Sequence, residues 1–218
     1  EIGHNGWKRA SRFMTNLLIV FCKNPTLGKV KTRLAKSIGD ERALAVYKKL
    51  LEHTHKVANE CTSDYAVYYS NYVNKNDLWV EASYKALQYG DDIGERMSNA
   101  ISDGLTRGYS SVVLIGADIY ELSLEVIDSA FSELKSNDVV LGPAKDGGYY
   151  LIGMKKPCSE LFQLRKWSSS VVLRDTVERI KIQELNYSLV DQLNDIDFLE
   201  DLHATDLIEL ISTPQDLE

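Results

Sequence analysis

Between Phe21 and Gly39 the chain carries Lys23, Lys29, Lys31, Arg33 and Lys36 and no acid, although its 25 basic and 32 acidic residues give a net charge of −7. Such a run, set after the apolar stretch Leu17–Cys22, has the chemistry of an anion cradle. Lys and Arg supply charge, Arg offers two parallel donors to phosphate oxygens, and Gly28 allows a tight turn. Thr32 and Arg33 can donate hydrogen bonds to phosphate oxygens in such a cradle. A solvated basic helix start would use the same residue types. The run is not a P-loop: Lys23 stands where the first glycine would be, and Val30 follows Lys29. No Gly-x-Gly occurs anywhere, so a dinucleotide fingerprint is absent too.

Acidic side chains form the second set. Asp118 follows the apolar stretch Ser111–Gly116, where an Asp can hold a divalent cation or simply make a turn. Asp146, in Lys145-Asp-Gly-Gly148, has glycines that permit close approach to a ligand and also signal a hairpin. Asp195 and Asp197 alternate, so in extended chain both point to one side, as metal ligands would. Beyond Lys181 there are ten acids and no Lys or Arg. Without that tail the 25 basic residues face 22 acids, and the remainder carries +3. From Glu200 onward the acids are read as a solvated face. His53 and His55 lie two apart on a helical pattern and cannot share a ligand face. Neither His-Glu-x-x-His nor Gly-x-Ser-x-Gly occurs, which argues against a zincin or an α/β-hydrolase.

The elements that must position these groups are legible from periodicity. Leu17–Cys22, Tyr65–Tyr69, Ser111–Gly116, Asp138–Leu141 and Tyr149–Gly153 read as strands buried on both faces. Asp40–Glu60, Ile93–Thr106, Leu124–Leu134, Ser169–Ile180 and Phe198–Leu210 read as helices. Alternating strands and helices predict a mostly parallel sheet covered on both sides, with ligands beyond the carboxyl ends of its strands. The loops after Cys22, Gly116 and Leu141 are thus where a site is expected. Residues 14–212 read as one domain. Residues 1–13 read as an N-terminal extension or cloning remnant, since Met14 directly precedes the first strand.

Composition bounds the rest. At 44% hydrophobic and 26% charged residues the chain is of ordinary globular type. No apolar run approaches the roughly 20 residues of a membrane span. Three cysteines without a paired spacing (Cys22, Cys61, Cys158) fit free thiols, hence a cytoplasmic location. The acidic balance argues against nucleic acid as a partner. Oligomeric state has no signal in the sequence.

Taken in order, the motifs resemble those of the DUF2064 family, assigned to the GT-A (nucleotide-diphospho-sugar transferase) superfamily. The run Phe21–Leu34 is similar to the family's opening motif, and Gln88–Met97 to a second. Gly116–Asp118, Leu141–Gly153, Trp167-Ser168, and Asp195-Ile-Asp197 with Asp201-Leu202 follow in register. The chain departs from the pattern in two places: Ile119-Tyr120 stand where Cys-Pro is usual, and Phe198 where Thr is.

The resemblance implies a three-layer α/β/α sandwich and a metal-dependent transferase using a nucleotide-activated sugar and an acceptor not identified by the sequence. It implies that Lys23, Gly28, Lys31, Arg33, Gly94 and Arg96 bind the nucleotide, and that Gly147, Gly148, Trp167 and Ser168 line the acceptor or sugar pocket. Asp118, Asp195 and Asp197 would hold Mg²⁺ or Mn²⁺, and Asp146 would act as general base. Glycosyl transfer releases a nucleoside diphosphate; the alternative, nucleotidyl transfer from a triphosphate, releases pyrophosphate. A second alternative, prompted by Ile119 and Tyr120, is an inactive nucleotide-sugar binding protein.

Overall fold

A computed structural model describes residues 15–211 apart from 165, 168 and 169. Among the described residues seven strands form one sheet, in the order β3-β2-β1-β4-β6-β5-β7. They are β1 (Asn16–Cys22), β2 (Asp64–Tyr69), β3 (Tyr84–Leu87), β4 (Ser111–Gly116), β5 (Val139–Pro143), β6 (Tyr149–Met154) and β7 (Tyr187–Leu189). Only β6 runs antiparallel, pairing β4 on one side and β5 on the other. The reversal follows from the short Asp146-Gly-Gly connection, since a tight hairpin can join only antiparallel neighbours.

Helices α2 (Asp40–Glu60), α3 (Ile93–Thr106), α4 (Leu124–Glu133) and α5 (Val172–Ile182) cover the sheet. The strict alternation of β1 divides them. Leu18, Val20 and Cys22 point into a core with Tyr47 and Leu51 of α2 and Ile127 of α4. Leu17, Ile19 and Phe21 point the other way, against Met97 and Ile101 of α3 and Ile180 of α5. The mostly parallel three-layer expectation is thereby met. A third cluster joins Leu34 of α1 (Thr32–Ile38) and Leu50 of α2 to Ile196 and Leu202 from the tail. It pulls the acidic C-terminal segment across the basic loop.

Four features differ from the sequence reading. The basic run is not all loop, because Thr32 onward is helical as α1. Short edge strands β3 and β7 lack an apolar pattern and were not predicted; both leave side chains half-exposed or exposed. The predicted helix Phe198–Leu210 is broken into α6 (Leu199–Leu202) and a 3₁₀ turn, Asp206–Leu210. Helix α5 begins at Val172, three residues after the predicted start, and Ser169 lies outside the described residues. Among the described residues no helix is long and apolar enough to cross a membrane.

Candidate functional site

Strand β1 has β2 on one side and β4 on the other, and their chain connections leave in opposite directions. This is the switch point at which open α/β sheets form a crevice. A cleft of about 570 Å³ opens here, lined by Lys23, Lys31, Thr32 and Arg33 from the basic segment and by Gly116, Ala117 and Asp118 beyond β4. Phe21, Ile93, Met97 and Ile152 give it apolar walls, and Arg96 and Asp197 are at its rim. A second cleft of about 250 Å³ adjoins it, sharing Ile93, Met97, Asp118, Tyr149 and Tyr150. Asp146, Gly148, Trp167 and Asp195 line this second space.

An ion network joins the two sets of charges. Lys31 Nζ donates to Asp118 Oδ2 and to Asp197 Oδ1, each at 3.1 Å. Arg33 donates to the other Asp197 oxygen at 2.9 Å. The Lys31 side chain is only 4% exposed, whereas those of Asp118 and Asp197 are 41% and 26% exposed. Burial pulls the Lys31 ammonium pKa down, but the two carboxylates more than offset this and hold it above its usual range. Burial likewise raises Asp118, and the charge and hydrogen bond of Lys31 bring it below the usual carboxylate range. Lys31 precedes α1 in the left-handed region, φ 46° and ψ 43°, a conformation that costs a non-glycine residue about 1–2 kcal/mol.

The backbone explains why the acids meet. Ile119 and Asp195 form an isolated antiparallel bridge, and the Ile196 N–H donates to the Asp118 carbonyl at 3.2 Å. The segments carrying Asp118, Asp195 and Asp197 are thus fastened side by side. Asp201 completes the mount: its carboxylate accepts from the N–H groups of Asp197 and Phe198 and from the Asn194 amide. The acids from Glu200 onward read as a solvated face, but Asp201, which the family resemblance also includes, is the third residue of a short helix and caps it. Both departures from the family pattern are built into this region. Ile119 is 1% exposed, and Tyr120 packs its ring against His53 at 5.2 Å. Phe198 lies under the Arg33 guanidinium, 5.7 Å from ring centroid to Cζ.

The remaining predicted residues fall into three groups. Lys23 and Arg96 line the main cleft; the Lys23 backbone is held by the Tyr47 hydroxyl, and Arg96 Nε donates to the Gly90 carbonyl. Asp146 is exposed and makes the hairpin turn by accepting the Gly148 N–H at 2.8 Å, so it turns the chain and lines the second cleft at once. Gly147 belongs to the same turn, its N–H donating to the Ala144 carbonyl. Gly28 and Gly94 do not line either cleft. Gly28 turns the basic loop beside Asp40. Gly94 is a place of close approach: a Cβ there would lie 2.1 Å from Trp167 Cζ2. Trp167 in turn stacks on Phe162 and meets Tyr149 edge-on. Ser168 lies outside the described residues. Sequence reasoning missed Tyr47, Gln88 and Tyr149 as wall and support residues. Tyr47 carries only the signal of a core helix position, whereas Gln88, which donates to the Tyr68 carbonyl, and Tyr149 stand inside the runs that resemble family motifs.

A divalent cation was expected on Asp118, Asp195 and Asp197. Among the described residues no three His, Cys, Asp or Glu side chains converge as a ready cage, and the Lys31 ammonium stands between Asp118 and Asp197. The donor set nevertheless fits a hard cation, being entirely carboxylate oxygen. Asp195 is pushed up to about 6 by burial and by the charges of Asp197, Asp118 and Asp146.

The family model described as "Uncharacterized protein conserved in bacteria (DUF2064)" matches residues 53–169, more than half of the chain. The chain belongs to the DUF2064 family. No curated protein matches this DUF2064 member. Among solved structures it is similar to a Desulfovibrio desulfuricans G20 protein provisionally named a nucleotide-diphospho-sugar transferase. That pair has a TM-score of 0.82 and 29% identity over 89% of this chain and 93% of the other. Two more distant likenesses concern the fold alone. The inositol-1-phosphate CTP transferase from T. maritima has a TM-score of 0.54 and 15% identity, covering 94% of this chain and 99% of that one. A cytidylyltransferase from Leptospira borgpetersenii serovar Hardjo-bovis has 0.53 and 11%, covering 91% and 94%.

Proposed function

We propose that this DUF2064 protein is a transferase acting on a nucleotide-activated sugar, which it binds in the cleft between β1 and β4. The observation that carries this reading is the meeting of Lys23, Arg33 and Asp118 around one cavity at the switch point of the sheet. A nucleoside diphosphate presents concentrated negative charge, and Lys23, Arg33 and Arg96 supply the donors that would hold it. The apolar walls suit a base or ribose, and the adjoining cleft suits the sugar and acceptor.

In glycosyl transfer an acceptor oxygen forms a bond to the sugar carbon while the bond from that carbon to the diphosphate breaks. Both bonding electrons leave with the diphosphate. Its oxygen gains charge, which Lys23 and Arg33 stabilise. Asp146, in the second cleft, takes the acceptor proton. A Mg²⁺ or Mn²⁺ ion held by Asp118, Asp195 and Asp197 would add charge stabilisation at the diphosphate. The 29%-identical relative's name favours this chemistry. Nucleotidyl transfer is the second reading, favoured by the CTP transferases among the structural likenesses.

Product analysis tests both. Nucleotide sugars and nucleoside triphosphates are incubated with Mn²⁺ and an acceptor panel. Release of nucleoside diphosphate supports glycosyl transfer, and release of pyrophosphate supports nucleotidyl transfer. Binding without turnover would return the protein to the inactive class.

A further inference from the structure

We propose that Lys31 is a resident cation: its ammonium fills the place between Asp118 and Asp197 in the free protein and yields it only when nucleotide and divalent ion arrive together. Three observations carry this. First, Nζ is 3.1 Å from an oxygen of each carboxylate, so it bridges them as a divalent ion would. Second, the Lys31 side chain is 4% exposed, while the two carboxylates remain open to the cleft. Third, the backbone at Lys31 is held left-handed, a conformation rarely adopted by a long side chain. The chain keeps this residue and geometry where glycine would fit without strain.

The consequence is an ordering of binding, and it rests on the nucleotide reading above. A divalent ion arriving alone must compete with a buried ammonium already bonded to both acids. Phosphates entering beside Lys23 and Arg33 offer that ammonium a new partner, since Lys31 also lines the cleft. Asp118 and Asp197 are then released toward the ion. Lys31 is in this account a positioning residue, and its effect is read in metal affinity rather than in turnover.

The test is Mn²⁺ binding by the full chain, followed by the paramagnetic resonance of free Mn²⁺, for wild type, Lys31→Gly, Lys31→Asn and Lys48→Gln. Gly and Asn both tolerate the left-handed backbone, so two variants remove the ammonium while sparing the turn. An opposite charge this close changes a carboxylate's proton affinity by about tenfold to a thousandfold, and a metal competing for the same oxygens should respond similarly. The Lys31 variants are expected to bind Mn²⁺ alone about tenfold or more tightly than wild type. Lys48→Gln, which removes an exposed charge of α2 outside both clefts, should stay near wild type. Saturating UDP or CTP should raise the wild-type affinity to that of the variants. Equal Mn²⁺ affinity in all four proteins overturns the proposal, as does a gain in Lys48→Gln matching that of Lys31→Gly. If no protein responds to either nucleotide, the nucleotide reading fails, while a tightened Lys31→Gly without nucleotide still upholds the resident lysine.

Discussion

Replacing Gly94 by Ala tests whether the wall of the second cleft is packed as described. A Cβ at this position would lie 2.1 and 2.5 Å from two Trp167 ring carbons and 2.6 Å from the Phe162 carbonyl oxygen. Contacts that close force the indole or the start of α3 to shift by about 1 Å or more. Overpacking of this kind costs about 1–3 kcal/mol, and contact with rigid backbone puts this site near the upper end. Helix propensity works in the opposite direction, favouring Ala over Gly by about 0.5–1 kcal/mol. The net expectation is a loss of about 2 kcal/mol, or a Tm lower by about 4–8 °C in a chain of this size. Thermal unfolding measures the loss, and near-ultraviolet circular dichroism reports the displaced indole. A variant more stable than wild type, with an unchanged aromatic spectrum, would mean that helix propensity alone governs the position and that Trp167 does not pack there.

Three further outcomes follow from the same geometry. Phe198→Ala removes the ring beneath Arg33, and a cation–π contact of about 0.5–1 kcal/mol predicts two- to fivefold weaker nucleotide binding by calorimetry. Asp201→Ala strands the N–H groups of Asp197 and Phe198. Hydrogen bonds to a charged acceptor of about 1.5–3 kcal/mol predict a Tm drop of several degrees and a looser Asp197. Cys22 is 3% exposed and its thiol is pushed up to about 12, by burial first and then by Asp77. Because the thiolate is the reactive form and appears only as pH approaches that value, maleimide at pH 7.5 should leave Cys22 unmodified until the protein is denatured. Mass spectrometry of native and urea-unfolded samples checks this.

Much of the frame was legible because parallel strands buried on both faces leave plain apolar runs. Leu17–Cys22 and Ser111–Gly116 could be placed to within a residue. Edge strands β3 and β7 escaped because they are short and only partly covered, so burial never wrote a pattern into them. The helix over 198–210 was overestimated because acids and leucines at helical spacing persist past His203, where α6 ends, into a separate 3₁₀ turn. For the site, residue type identified Lys23, Arg33 and Asp118 as chemistry-bearing, and position after buried strands placed them at the cleft. What sequence could not supply was the pairing. Lys31 and Asp197 are 166 residues apart, and their contact depends on the Ile119–Asp195 bridge, a backbone interaction without a side-chain signature. Asp146 shows the opposite case, since one Asp-Gly-Gly run both turned the hairpin and lined the cleft.

The central claim is that one cavity holds the diphosphate between the basic segment and the acids beyond β4. A crystal structure of the full chain with a nucleoside diphosphate and Mn²⁺ tests it most directly. The account predicts phosphate oxygens within hydrogen-bond distance of Lys23 and Arg33, on the side of the cleft facing Asp118. A nucleotide bound elsewhere on the surface, with this cleft containing only solvent, would contradict it.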